Sequence, residues 1–80
     1  MNQIMSRQAQ HIREKYGHLL TLEEVAEVLR YSSVDAVRQA SSRGTLPVSL
    51  KRFPGRRATF VFAEDVIECL ESMENVRGVT

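Results

Sequence analysis

The chain carries a single cysteine, two prolines, no tryptophan and five aromatic residues in all. None of its apolar runs approaches the ~20 residues that a bilayer-spanning helix needs. One thiol forms no internal disulfide, so the fold does not depend on an oxidising compartment and a cytoplasmic location is expected. The opening MNQIMSRQAQHIREKYG lacks the apolar core of a secretory signal, in line with that expectation. Repeats and low-complexity linkers are absent as well. His11, His18 and Cys69 are candidate soft metal ligands, but their spacing matches no zinc pattern, and neither metal nor cofactor is expected. The sequence shows no Ser-His-Asp arrangement, Gly-rich phosphate loop or paired-carboxylate cleft, and 80 residues leave little room for one. A non-enzyme is expected. What is present is ordinary globular chemistry, 42% hydrophobic and 26% charged, in a single domain near the lower limit of independent folding.

The net charge of +1 hides a strong sorting of charges along the chain. Between Arg30 and Arg57, seven basic residues (Arg30, Arg38, Arg43, Lys51, Arg52, Arg56, Arg57) face one acid, Asp35, for a net +6. From Ala58 onward five acids meet one arginine, net −4, and Met1 to Leu29 is net −1. A basic middle third of this density is an electrostatic footprint for a polyanion, and DNA is the first candidate.

Hydrophobic periodicity places helices on either side of this stretch. Met5, Ala9, Ile12 and Tyr16 form one apolar stripe on an otherwise polar helix over residues 3–16, which Gly17 ends. The stripe either packs on its own domain or provides a contact for self-association. Thr21 with Glu24 forms a capping box ahead of a second helix, whose buried face is Leu22, Val25, Ala26 and Leu29. Arg30 caps that helix's C-terminus. After Tyr31-Ser32-Ser33 a third helix is expected from Val34 to about Arg43, capped by one of the serines, with Ser32 and Asp35 at capping-box spacing. Val34, Val37, Ala40 and Ser41 share its inner face. Asp35, Gln39, Ser42 and Arg43 lie opposite, with Arg38 on the flank. Gly44 ends it.

Val48–Phe53 alternates in a strand-like rhythm, Pro54-Gly55 signals a turn, and Ala58–Phe62 is β-rich. The expected hairpin carries Arg56 and Arg57 at or just past its tip, flanked by Lys51 and Arg52, with Phe60 and Phe62 plugging the core. A last helix is expected from Glu64 to about Met73, with Val66, Ile67, Leu70 and Met73 inward and Cys69 as a small packing residue. The expected organisation is an N-terminal helical extension over 1–18, a DNA-binding domain over 19–73 and a flexible tail over 74–80.

Two short helices joined by a tight turn, then a hairpin and a helix, follow the order of a winged helix-turn-helix: mainly α with a small β-hairpin, plus an extra N-terminal helix. The segments LTLEEVAEVLRYSS-VDAVRQASSRGTLP and KRFPGRRATFVFAEDVIECL resemble the excisionase- and MerR-like winged-helix DNA-binding domains. That resemblance covers Leu20 to Glu71. It rests on Leu22-x-x-Val25-Ala26, the Arg43-Gly44-x-Leu46-Pro47 turn, the Gly55-Arg56-Arg57 wing and Asp65-Val66-x-x-x-Leu70. Cys69 departs from it, standing near where the family often carries an aromatic residue. The resemblance implies base-edge contacts from the exposed face of Ser33 to Arg43 and phosphate or minor-groove contacts from Arg52, Arg56 and Arg57. Ser33, Asp35, Arg38, Gln39, Ser42 and Arg43 are thus the candidate base readers, and Lys51, Arg52, Arg56 and Arg57 the candidate wing contacts.

The expected function is sequence-specific binding of double-stranded DNA as a transcriptional regulator. A chain this small reads few base pairs alone, so a homodimer or tandem self-association is expected, through Met5, Ala9, Ile12 and Tyr16 if the stripe faces outward. An excisionase-type recombination directionality factor, bending attachment-site DNA, uses the same domain. Integrase or RNA polymerase would be the protein partner in the two cases, and no membrane is involved. A protein-interaction module working through the acidic last helix is the alternative from another class.

Overall fold

Short-range chemistry sets the helix boundaries. In the computed structural model, which describes residues 7–73, the Thr21 hydroxyl accepts the Glu24 backbone N–H at 3.1 Å. The Glu24 carboxylate in turn accepts the Thr21 N–H at 2.9 Å. This capping box opens helix α2 (Leu22–Leu29). It closes at Arg30, whose backbone adopts the left-handed conformation (φ 64°) and donates its N–H to the Ala26 carbonyl. Helix α3 (Val34–Arg43) is capped by Ser33, whose Oγ accepts the Ala36 N–H at 3.1 Å. The Ser32–Asp35 box is not used. Helix α1 (Arg7–Tyr16) ends where the Gly17 N–H reaches the Arg13 carbonyl at 2.9 Å.

Among the described residues the strands form one antiparallel sheet of three, in the order β1-β3-β2. The expected hairpin is present as β2 (Lys51–Arg52) and β3 (Thr59–Phe62), both shorter than the alternation indicates. β1 (Leu19–Thr21), which no sequence pattern announces, pairs with the other side of β3, setting Leu20 opposite Val61. The chain passes directly from β3 into α4 (Ala63–Glu71), and the Ala63 N–H continues the ladder to the His18 carbonyl at 2.8 Å. Among the described residues the architecture is mixed α/β and mostly helical: four helices against a small sheet.

At the centre of the core five elements each contribute one fully buried side chain: Leu20 of β1, Val25 of α2, Val37 of α3, Val61 of β3 and Val66 of α4. Fully burying each such side chain is worth roughly 1.5–3 kcal/mol. Among the described residues no polar or charged side chain is buried, so the core is held by packing alone.

Two expectations from the sequence do not hold. Phe60 and Phe62 do not plug the core: Val61 points inward, Phe60 is only partly buried and Phe62 is 45% exposed. The cause is the junction with α4, where Val61 and Ala63 both face the core and fix the phase of β3. Met73 lies beyond the end of α4 and is 71% exposed. The α1 stripe takes the first of its two open alternatives and packs within its own domain. Ala9 and Ile12 belong to the core, Tyr16 packs against it, and α1 lies on α4. An exposed ion pair, Arg13 to Glu64 at 3.3 Å, joins the same two helices. Met5, the fourth residue of the stripe, and the expected tail 74–80 lie outside the described residues. Among those described, no helix is long and apolar enough to cross a membrane.

Candidate nucleic-acid interface

Helix α3 meets the core through a narrow underside. Val37 and Ala40 are buried, Val34, Ala36 and Ser41 half-buried, and the other side chains stand in solvent. Asp35, Arg38, Gln39, Ser42 and Arg43 are all exposed, as the 3.6-residue period requires of positions away from Val37 and Ala40. Ser33 is exposed too, but its oxygen is engaged in the cap, which makes it first a structural residue. Gly44, at φ 77°, ends the helix by donating to the Ala40 and Ser41 carbonyls. The Thr45 and Leu46 N–H groups also reach Ala40 and turn the chain away. The top of α3 is therefore left unobstructed at its C-terminal end.

The β2–β3 connection is a tight turn at its tip. Pro54 supplies the fixed φ of a second turn position and Gly55, at φ 78°, the positive φ of the third. The Arg56 N–H closes the turn on the Phe53 carbonyl at 3.1 Å. Lys51, Arg52, Arg56 and Arg57 are all exposed. Among the described residues, none of the seven basic side chains from Arg30 to Arg57 is in a salt bridge. Their positive field is thus uncompensated at short range, and its reach in ~0.15 M salt is about 8 Å.

Beside this basic rim lies a feature that the sequence pattern does not reveal. Strand pairing puts Phe60, Phe62, Leu19 and Lys51 on the outer face of the sheet, opposite the core. Phe53 joins them beside the turn, its ring edge-on to Phe60 at 5.9 Å between centroids. The Lys51 ammonium stands 5.4 Å from the Phe62 ring centre and the Arg56 guanidinium 4.8 Å from that of Phe53. Leu19, Phe53, Pro54, Phe60 and Phe62, with Lys51 and Arg52, line a shallow groove of about 220 Å³. One local signal does point to it: phenylalanine at position 62, just before Ala-Glu-Asp, occupies the N-cap of α4 without a capping hydrogen bond. An apolar residue is poorly suited to that position.

The other candidate ligands are dispersed. Among the described residues no three His, Cys, Asp or Glu side chains come together as a metal site. Cys69 is half-buried against the core, and burial pushes its thiol pKa up from the ordinary value. Comparisons of the chain with protein-family models, with curated proteins and with solved structures returned no match.

Proposed function

We propose that the protein binds double-stranded DNA with sequence preference and acts by occupancy as a transcriptional regulator. The observation that carries this reading is a set of six basic side chains, Arg38 and Arg43 on an exposed polar helix and Lys51, Arg52, Arg56 and Arg57 on a hairpin, that have no salt-bridge partner among the described residues. The order β1, α2, α3, β2, β3, α4 supports a winged helix-turn-helix of the kind the sequence resembles. In this reading α3 enters the major groove. Arg38 and Arg43 suit the O6 and N7 acceptors of guanine, Gln39 the edge of adenine, and Asp35 the amino group of cytosine. Lys51, Arg52, Arg56 and Arg57 lie on the phosphate backbone or in the minor groove, supplying affinity without base choice. A second copy bound alongside extends the site beyond the few base pairs one α3 reads.

Selection of binding sites from randomised duplex DNA by the purified protein, at near-physiological salt, tests the proposal. An enriched motif supports specific readout, and its symmetry separates a palindromic pair from tandem copies. Salt-labile binding without enrichment refutes specific readout. An excisionase-type role would place clustered sites within an attachment region and bend them, whereas a regulator's sites would lie at promoters.

A further inference from the structure

The outer face of the sheet has a chemistry that duplex recognition by α3 does not require. Phe53 and Phe62 are 44% and 45% exposed, the largest apolar side chains left in solvent apart from Met73 among the described residues. Phe62 stands at a helix N-cap where Ser, Thr, Asp or Asn would satisfy a free N–H, so the fold forgoes a stabilising cap to keep an aromatic ring there. Local rules broken without a stabilising return mark functional positions. Each of these rings has a cation over it, and among the described residues no carboxylate lines the groove between them. Glu64 lines the adjoining groove beyond Phe62 and is engaged by Arg13.

From this arrangement we infer that the sheet face is a stacking platform for unpaired bases of a single-stranded nucleic acid. Phe60 and Phe62 lie two residues apart on one strand, about 6.6 Å along it, on the same face. Aromatic side chains side by side on a sheet can each take one base, irrespective of its identity, because every base has a π-face. In the free protein Lys51 and Arg56 cover the rings of Phe62 and Phe53. When a strand binds, the bases take the ring faces and both cations turn to the phosphates, exchanging an exposed cation–π contact for stacking plus charge neutralisation. A basic rim without acids fits a polyanion, and it would repel the same basic surface on a second copy of the chain.

The test is titration of a labelled homothymidine strand of about 12 nucleotides, and of its uridine RNA counterpart, within the span one small domain covers. Phe62→Ser and Phe53→Ala should each weaken binding about tenfold, the effect of losing one stacked base. Phe62→Ser also installs the missing cap, so its melting temperature should not fall, which separates lost stacking from lost folding. Because the chain has no tryptophan, Phe62→Trp provides a single indole, excitable apart from the two tyrosines, whose emission stacked bases should quench. The DNA and RNA arms identify the source of the strand. Absence of single-strand binding, or affinity unchanged in Phe62→Ser, overturns the inference. So does a wild-type self-association that Phe62→Ser abolishes, since the face would then belong to a second copy. Failure here leaves the duplex reading intact, because site selection reports on α3 and this titration on the sheet.

Discussion

Replacing Arg56 and Arg57 together by alanine tests the wing most directly. Both side chains are exposed and neither is in a salt bridge among the described residues, so their removal leaves no buried partner unsatisfied. The substitution does remove the Arg56 guanidinium from its place over the Phe53 ring, 4.8 Å from the centroid. At an exposed site such a cation–π interaction is worth about 0.5–1 kcal/mol. For a domain of this size that corresponds to a melting shift of roughly 2–8 °C, small enough for binding to be compared at 25 °C. On duplex DNA each neutralised phosphate contributes about −0.9 to the slope of log K against log salt. Two fewer neutralised phosphates should flatten the slope by about 1.8, so between ~50 and ~200 mM salt the variant's affinity falls about twelvefold less than the wild type's. Fluorescence anisotropy on an enriched site and on a scrambled duplex, across that salt range, measures both slopes. The weakening should be the same on the two duplexes, since phosphate contacts carry no sequence information. An unchanged slope would remove the wing from the interface, and weakening confined to the enriched site would make these arginines base readers.

Gln39→Ala should behave in the opposite way, relaxing base preference at one position by about 1–3 kcal/mol while leaving the salt slope alone. Competition with single-base variants of the site measures it, and uniform weakening would reduce Gln39 to a backbone contact. Thr21→Ala removes one arm of the capping box and should cost about 0.5–2 kcal/mol in urea unfolding; no change would mean that α2 is fixed by packing alone. The raised Cys69 pKa gives a contribution to stability that is fully present below the unfolded-state thiol pKa and is lost as pH rises through the folded-state value. The native thiol should therefore react with iodoacetamide more slowly than the urea-unfolded chain near pH 8, and equal rates would show Cys69 to be freely solvated.

Features that depend on neighbours in sequence were legible. The Thr21–Glu24 box, the break before α3 and the Pro54-Gly55 turn all lie within a few residues of their partners, and each appears in the structure. The exposed face of α3 followed from helical period alone. Features set by distant partners were not legible. β1 is three residues long, too short to show alternation, and exists because β3, about forty positions later, offers it a ladder. The two-residue period of Thr59–Phe62 permits two faces, and side-chain size alone favours the wrong one, with Phe60 and Phe62 in the core. The aromatic surface beside the basic rim is therefore visible only in the folded sheet.

The sequence by itself determined the bounds of α2 and α3, the turn and the sorting of charge, because hydrogen-bond caps, glycine conformations and charge density are local properties. The tertiary structure alone decided which face of the sheet is buried and where the α1 stripe goes. Both depend on which surfaces meet: Val61 turns inward because β3 runs without a break into α4, and Ala9 and Ile12 are buried because α4 lies against them.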